Sequence, residues 1–305
     1  MQRYILRRLF QAVIVLFGIS IIVFSLVRLS GDPSMLMAGP GASDEQIEQY
    51  RELLGLNKPI YVQYWLFISG VLQGDFGESI KWGKPTLYVF MQRLPNTLLL
   101  TLGASIWAYS IGLVVGLLSA VKVGGWVDSI GKTFALLGQA MPTFWLGLML
   151  MLIFATTLRW LPTSGIGGFA NLLMPSFTLG WYFSAAMTRM TRSAMLDVLD
   201  SEYIKMARIK GMPEKRVILR HAFKNASIPV LTLGAMQLTF MVMGTVVTEQ
   251  VFNWPGVGRL VVDSITSRDY PMVQTCVLIF AALYVIVNLV VDISYAYIDP
   301  RIRYD

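Results

Sequence analysis

The stretch TLLLTLGASIWAYSIGLVVGLLSAV, at Thr97–Val121, contains no charged residue. A helix needs roughly 20 mainly apolar residues to cross about 30 Å of hydrocarbon, so this stretch alone is long enough to span a membrane. Five further charge-free windows reach or approach that length: Leu9–Val27, Thr133–Leu158, Asn171–Thr188, Ala226–Thr248 and Met272–Val291. Because backbone groups in lipid must be hydrogen-bonded internally, we predict an all-α polytopic membrane protein with six transmembrane helices.

The composition agrees with this prediction. Only 14% of the 305 residues are charged and 55% are hydrophobic, whereas roughly a quarter of residues are charged in a globular protein. A buried core helix of a soluble protein is the alternative for any single window, but six such windows exclude it for the set. The first window follows Arg3, Arg7 and Arg8, as in a signal peptide. Its apolar run is too long for one, and LVRLSGDPSM offers no clear cleavage site, so a retained span is predicted.

The distribution of Lys and Arg predicts the orientation of the spans. When six spans alternate between two sides, most of the 25 Lys and Arg residues fall on the side of both termini and of the segment 189–225. Cytoplasmic loops carry an excess of these residues, so both termini are predicted to be cytoplasmic. The net charge of +7 therefore reports topology and gives no reason to expect a nucleic-acid partner.

We predict a single membrane domain over 1–305 with three parts: a first span at 1–29, a long extracytoplasmic loop with short helices at 30–96, and a five-span core at 97–298. In the loop, Ser43 and Gln46 form a capping-box pattern, and Gly55 is the expected end of the helix that they begin. The next stretch, PIYVQYWLFISGVLQ, is shorter than a span and predicts a helix lying in the membrane interface.

The core contains a basic segment, EYIKMARIKGMPEKRVILRHAFKN, within a cytoplasmic stretch that we place at 200–225. Its spacing predicts a first short helix, capped by Asp200 or Ser201 and ended by Gly211. One face of this helix is predicted to hold Tyr203, Met206 and Ala207.

A second helix is predicted from about Glu214, after Pro213, and it runs into the fifth span, where Pro229 is free to kink it. From the residues alone, two interpretations of this segment remain open. It is either a basic hairpin that rests on anionic lipid or a docking element that enters a cleft on a soluble partner.

The same segment closely resembles the cytoplasmic coupling segment of the peptide-type permeases of ATP-binding-cassette (ABC) importers. The resemblance extends along most of the chain through SGDP, LGLNKPIYVQY, GDFGES, RLPNTLLLT, VFNWPGVGRLVVDSITSRDYPMVQ and NLVVDISYAYIDPRIR. Members of this family are inner-membrane subunits that import dipeptides, oligopeptides, nickel or glutathione. The resemblance implies the type I ABC importer permease fold, in the inner or plasma membrane of a bacterium or archaeon.

The resemblance also implies partners and a mechanism. They are a second, homologous permease in a heterodimer, two ATPase subunits that hold ATP and Mg, and an extracytoplasmic solute-binding protein. The binding protein delivers the substrate, and ATP binding and hydrolysis in the partner subunits drive alternating access. This chain is then a non-catalytic subunit that is expected to bind no cofactor and no metal.

The family's coupling motif usually reads Glu-Ala-Ala, three residues, then Gly. Here the matching stretch is KMARIKG, in which Ala207 and Gly211 fit and Lys205 takes the place of the glutamate. The residues implied to dock into a groove on the ATPase are Tyr203, Lys205, Met206, Ala207, Arg208, Lys210 and Gly211. Those implied for the outer gate, on the binding-protein side, are Glu249, Asn253, Trp254, Pro255, Gly256, Gly258 and Arg259.

Polar residues within spans are the candidates for the translocation route, because lipid makes them costly. Gln139 precedes Met141 and Pro142, where a proline kink opens backbone groups to a cavity, and Gln237 lies near the middle of the fifth span. The alternative for both glutamines is hydrogen bonding between helices. Asn288 and Asp292 lie one turn apart near the cytoplasmic end of the last span, and they are interpreted as a structural pair with a neighbouring arginine in preference to a substrate site.

Three features suggest other functions and are set aside. The stretch GGWVDSIGKTF has one residue too many between Gly125 and Gly131 for a phosphate-binding Walker A loop. His221 is the only histidine and has no Cys or carboxylate at ligand spacing, so a surface role beside Arg220 is expected. With Cys276 as the single cysteine, an intrachain disulfide is excluded.

We expect the cargo to be a dipeptide or oligopeptide, because the spans hold almost no charge and peptides suit a mildly polar passage. Glutathione is the first alternative, since the short outside loops resemble those of glutathione-type members, and nickel chelates and opines are further alternatives. An autonomous secondary transporter is the alternative of a different class. It requires an intramembrane carboxylate, for which Asp292 is the one candidate, and often inverted repeats, which are not visible.

Overall fold

The computed structural model describes residues 2–29, 33–39, 41–53 and 55–298. In this part of the chain, helices account for the regular structure apart from one isolated bridge between Glu78 and Pro85. The α-helices are α1 (Gln2–Leu29), α2 (Pro33–Ala38), α3 (Asp44–Leu53), α4 (Ile60–Leu72), α5 (Thr86–Val121), α6 (Trp126–Ala140), α7 (Thr143–Leu150), α8 (Phe169–Leu199), α9 (Glu202–Ile209), α10 (Glu214–Arg216), α11 (Phe223–Val251), α12 (Val257–Thr266) and α13 (Tyr270–Ile298). There are also two π-helices. The first, π1 (Met151–Thr157), continues α7, and the second, π2 (Val217–Ala222), joins α10 to α11.

Four helical stretches are long and apolar enough to cross a membrane: Ile5–Leu29, Thr86–Val121, Glu214–Val251 and Tyr270–Val291. The pair formed by α6 and α7–π1 gives a fifth if it is counted as one broken span. The window Asn171–Thr188 lies in α8, which has 31 residues. Its hydropathy is lowered by several Asn, Ser, Thr and Tyr residues. The described residues therefore support four or five spans, and the six-span topology with cytoplasmic termini stays a prediction.

The kink expected at Pro142 is a complete break in the helix. Met141 and Pro142 are both extended, with ψ angles of 124° and 135°, and the helices on either side meet at 105°. Proline has no N–H to continue the ladder, and its ring disfavours helical geometry in the residue before it. The third charge-free window, Thr133–Leu158, is therefore two helical pieces and not one straight span.

Within the described residues, the chain forms two compact units, one of 2–95 with 256–293 and the other of 96–255 with 294–298. This grouping differs from the predicted parts 1–29, 30–96 and 97–298, which remain a prediction. The core of the first unit includes Phe90, Met272 and Cys276, and that of the second includes Leu100, Leu179 and Met241.

In the first unit, α3 begins with the predicted capping box. The backbone N–H of Ser43 donates to Gln46 Oε1 at 3.1 Å, and the N–H of Gln46 donates to Ser43 Oγ at 3.3 Å. Gly55 follows the helix with a φ of 62°, as expected of a residue that ends it. The helix predicted for PIYVQYWLFISGVLQ is α4, and it packs on α1 through Tyr64, which lies 2.8 Å from Ser20 Oγ. Its place in the membrane interface stays a prediction.

In the second unit, helices α5, α6 and α8 approach one another closely at glycines. A Cβ at Gly180 of α8 would lie 2.6 Å from the carbonyl oxygen of Ala104 on α5. A Cβ at Gly138 of α6 would lie 2.6 Å from Cβ of Ala185 on α8. Small residues are the usual means by which membrane helices bring their backbones together, since lipid supplies no hydrophobic drive for association.

A buried ion pair fixes the start of α6 to α8. The Asp128 carboxylate is fully buried and accepts hydrogen bonds from Arg192 Nε at 2.7 Å and Arg192 Nη2 at 3.0 Å. Lys132 Nζ lies 2.9 Å from the same carboxylate, and the backbone N–H of Gly124 donates to it at 3.1 Å. The stretch that resembles a phosphate loop is thus the first turns of a helix, and its lysine neutralises a carboxylate of the same chain.

Breaking this ion pair tests its contribution to stability. We expect Asp128→Ala to lower the free energy of unfolding by about 2 kcal/mol, because it leaves the Arg192 guanidinium without its carboxylate. Unfolding by heat or denaturant of the detergent-solubilised protein measures the loss. Asp128→Ala combined with Arg192→Met is expected to recover part of it. The matched control is Glu48→Ala, which breaks an exposed pair with Arg51 and is expected to cost under about 1 kcal/mol. Equal losses in the two single variants would contradict the prediction.

Candidate functional site

The basic segment folds as a compact helical hairpin on the second unit. Helix α9 turns Ile204 and Ala207 inward, and both are buried in one cluster with Val217 and Ala222 of π2. A π-helix is wider than an α-helix because its hydrogen bonds run from i to i+5. Val217 and Ala222, five residues apart, are consequently both available to pack on α9. The segment is thus a folded part of the second unit.

The face predicted for α9 is wrong in one member. Tyr203 and Met206 are 50% and 54% exposed, as expected of a docking face, but Ala207 is 7% exposed and lies on the opposite, buried side. Ile209 joins the outer face and is 78% exposed. Two apolar stripes run along this short helix, and its sequence alone does not tell which one faces inward. We call Tyr203, Met206 and Ile209 the outer ridge.

The two ends of α9 are built differently from one another. Ser201 occupies the N-cap position, but its hydroxyl donates to the carbonyl of Val198 at 2.6 Å and makes no cap bond. At the other end, Gly211 has a φ of 73°. Its N–H donates to Arg208 O at 2.9 Å, and the N–H of Met212 donates to Ala207 O at 3.4 Å. These two bonds form a Schellman motif, which confirms the predicted stop at Gly211.

Ion pairs and one aromatic contact brace the hairpin. Arg208 donates to both carboxylate oxygens of Glu214, at 2.7 and 3.2 Å, and this pairing raises the pKa of the guanidinium. Lys205 donates to Glu202 at 3.0 Å, and that bond, helped by the charge of Asp200, raises the pKa of the ammonium. Both cations therefore stay charged near neutral pH. Lys210, the third cation of the predicted set, is exposed.

His221 has a more specific position than the surface role that was expected for it. Its Nδ1 lies 2.5 Å from the hydroxyl of Tyr203, so the only histidine of the chain joins π2 to α9. Among the described residues, no group of three His, Cys, Asp or Glu side chains is placed to hold a metal ion. Sequence spacing alone missed this contact, because 18 residues separate the two side chains.

Of the residues implied for an outer gate, those in the second unit point mainly inward. Glu249 is fully buried and accepts a hydrogen bond from Thr97 Oγ1 at 2.7 Å. Trp254 is also buried, and its Nε1 donates to Asn96 O at 3.0 Å. The side-chain amide of Asn96 donates to Pro255 O at 2.8 Å. Asn253 is exposed and adopts the left-handed conformation, with a φ of 51°.

The remaining members of that set belong to the first unit. Gly256 and Gly258 are buried at the start of α12, and Arg259 lies 3.7 Å from Asp263 one turn further along the same helix. In this unit, the carboxylate of Asp269 accepts bonds from Ser79 Oγ and from the backbone N–H groups of Ile80 and Lys81. The residues next to Asp269 in the sequence form no pattern that predicts this buried contact. The gate role of the whole set stays a prediction.

The break between α6 and α7 opens onto a cavity in the second unit. Its volume is about 450 Å³, and its lining holds no charged side chain: Gln139, Ala140, Met141, Pro142, Thr143, Leu179, Tyr182, Phe183, Gly244 and Val247. The structure thus brings together three of the four residues predicted for the translocation route. The volume of this cavity lies within the range of small-molecule sites, roughly 300–1,000 Å³.

Gln237, the fourth candidate for the route, is placed elsewhere. Its side chain is buried, it is not part of the cavity lining, and its Nε2 donates to Phe183 O at 3.5 Å. This position fits the alternative of an interhelical hydrogen bond. In the last span, Asn288 Nδ2 donates to Tyr284 O at 3.1 Å. The side chain of Asp292 lies outside the described residues, so the predicted structural pairing of Asn288 and Asp292 with a neighbouring arginine stays a prediction.

Comparison with known proteins identifies what this architecture resembles. Residues 112–304 match the family described as binding-protein-dependent transport system inner membrane component, and residues 1–101 match its N-terminal companion. The chain is 44% identical over 305 residues to the glutathione transport system permease protein GsiC of Salmonella typhimurium and 43% identical to that of Escherichia coli K12, covering 100% of each chain.

Solved structures show the same fold at low identity. An inward-facing form of the MetNI methionine ABC transporter matches with a TM-score of 0.56 and 16% identity over 70% of this chain and 97% of that one. An amino acid ABC transporter crystallised with histidines matches with a TM-score of 0.55 and 15% identity over 68% of this chain and 94% of that one. Similarity at this level supports the fold over about 70% of the chain and says nothing about cargo.

Substitutions at Gly211 test the Schellman motif that ends α9. We expect Gly211→Ala to destabilise the end of the helix by about 1–2 kcal/mol, because a Cβ disfavours the left-handed conformation. Gly211→Asn is the matched control, since Asn tolerates that conformation. Hydrogen exchange of the α9 amides is the measurement, with roughly tenfold faster exchange expected in the Ala variant. Equal exchange in the two variants would rule out the motif as the stop.

Proposed function

Since the chain belongs to the family of inner membrane components of binding-protein-dependent transport systems, and is an inner-membrane ABC permease subunit, we propose that it carries glutathione or a similar short peptide into the cell. An extracytoplasmic binding protein delivers the cargo, and ATPase subunits that hold ATP and Mg drive the cycle. A second, homologous permease completes the passage as a heterodimer. The full-length similarity to permeases named for glutathione is the observation that carries this proposal.

The cavity beside the helix break supports a peptide-like cargo. Its lining offers amide, hydroxyl, thioether and aromatic groups without a formal charge. Such a surface hydrogen-bonds a peptide weakly at several points and does not hold it tightly, which suits a passage that must release what it binds. The extended Met141–Pro142 pair is irregular backbone beside the cavity, and irregular backbone at membrane depth is tolerated where it lines a cavity.

The hairpin supports the proposed contact with an ATPase. The outer ridge presents three large apolar side chains to solvent on an eight-residue helix, and exposed apolar groups clustered in this way mark protein interfaces. The same helix is fixed to α10 by the Arg208–Glu214 pair and to π2 by the Tyr203–His221 contact. A rigid helix with an apolar face is suited to enter a groove on a partner.

Substitutions in the outer ridge test the ATPase contact. We expect Met206→Glu or Ile209→Glu to abolish co-purification of vanadate-sensitive ATPase activity with the tagged chain from gently solubilised membranes, because a charge on the ridge must be desolvated on docking. Val123→Glu is the matched control, since Val123 is an exposed apolar residue outside the hairpin. Loss of ATPase activity in the control as well, or retention in the ridge variants, would contradict the proposed contact.

Uptake by whole cells tests the cargo. Cells that lack this chain are expected to lose binding-protein-dependent uptake of labelled glutathione, and the wild-type chain restores it while Met206→Glu does not. Labelled dipeptides and oligopeptides are measured in parallel. Loss of peptide uptake with unchanged glutathione uptake would replace glutathione by a broader peptide cargo. Unchanged uptake of all of them would reject the proposed cargo, whatever the outcome of the ATPase experiment.

A further inference from the structure

Four cations of the hairpin have no carboxylate partner within the described part of the chain. Lys215, Arg216, Arg220 and Lys224 are all exposed, whereas the α9 cations Lys205 and Arg208 are paired with acidic residues. We call these four residues the basic stripe. Positive charges grouped on a folded surface repel one another, which raises the free energy of the protein unless an anion lies beside them. We therefore expect the stripe to bind an anionic partner.

The basic stripe runs into an apolar surface on the same side of α11. Arg220 and Lys224 are four residues apart, and the next positions at helical spacing are Ile228 and Leu231, which are 46% and 60% exposed. The exposed face thus changes from cationic to apolar along one helix. This order is the one expected where a helix passes from the headgroups of a bilayer into its hydrocarbon.

The depth of these residues can be estimated from helix geometry. The helical stretch Glu214–Val251 is continuous, and its charge-free window begins at Ala226. With a rise of about 1.5 Å per residue, Lys224 lies about 3 Å and Arg220 about 9 Å before that window. The headgroup layer on each side of the hydrocarbon is roughly 5–8 Å thick. The long side chains of both residues therefore reach the phosphates of the adjacent leaflet.

We propose that the membrane-proximal end of the basic stripe, Arg220 and Lys224, binds the headgroups of anionic phospholipids and anchors the start of α11 at the membrane surface. Arg220 donates to phosphate through its planar guanidinium, and Lys224 contributes a point charge on a flexible stem. The stripe and the outer ridge are separate surfaces of one hairpin, so lipid binding leaves the ridge free. The two interpretations that the residues alone left open therefore apply together, each to its own surface. This inference goes beyond the proposed cargo and does not depend on it.

The test measures binding of phosphatidylglycerol and phosphatidylcholine to the full-length detergent-purified protein by native mass spectrometry over a range of lipid fractions. The wild-type protein is expected to prefer phosphatidylglycerol. Arg220→Gln with Lys224→Gln is expected to weaken that binding about thirtyfold, because each cation near the surface contributes about 1 kcal/mol. Lys81→Gln with Lys84→Gln removes two exposed cations of the first unit and is expected to leave the preference unchanged.

A charge-conserving exchange, Arg220→Lys with Lys224→Arg, is expected to retain binding and guards against an effect of misfolding. If the Gln variant fails to fold, the salt dependence of wild-type binding serves instead, since screening weakens the contact as ionic strength rises. Equal binding of the two lipids by the wild-type protein would overturn the proposal. So would a Gln variant that keeps phosphatidylglycerol and loses ATPase co-purification, because the stripe would then contact a protein.

Discussion

The absence of water in the bilayer governs how this chain is built. Backbone groups must be satisfied within helices, and charged side chains are excluded from their central stretches. The buried carboxylates consequently make their contacts near helix ends. Asp128 meets Arg192 near the start of α6, Thr97 donates to Glu249 near the end of α11, and Asp269 collects donors at the start of α13. Between these ends, glycines set how closely the helices approach.

The same constraint explains the composition of the hairpin. Because charged residues are excluded from the spans, many of the few Lys and Arg residues of the chain lie in this segment outside them. Its stability does not come from those charges. Ile204, Ala207, Val217 and Ala222 form its buried side, and the π2 turn lets two of them face the same neighbour. The ion pair between Arg208 and Glu214 and the contact between Tyr203 and His221 then limit how α9 moves relative to α10 and π2. A helix of eight residues is in this way held by a buried apolar side and two polar contacts.

Local signals in the sequence predicted most of the helices and several of their ends. The capping box at Ser43, the stop at Gly211 and the interruption at Pro142 each depend on residues within a few positions of one another. What the sequence did not predict depends on distant partners. The pairing of Asp128 with Arg192, the inward position of Trp254 and the choice of Ala207 over Ile209 for the buried side of α9 are all decided by packing between elements. Arg192 lies 64 positions from Asp128 along the chain, so no periodic pattern around Asp128 indicates that the two residues pair.

The stretch Glu214–Val251 has a mechanical consequence. Its 38 residues correspond to a rod about 57 Å long at 1.5 Å per residue, nearly twice the thickness of the hydrocarbon. Because α9 is clamped to the beginning of this rod, a force on α9 acts with leverage. A small rotation at the hairpin becomes a larger sideways displacement at Val251, and the π2 turn and the proline at position 229 are places along the way where the regular α-helix is interrupted or weakened.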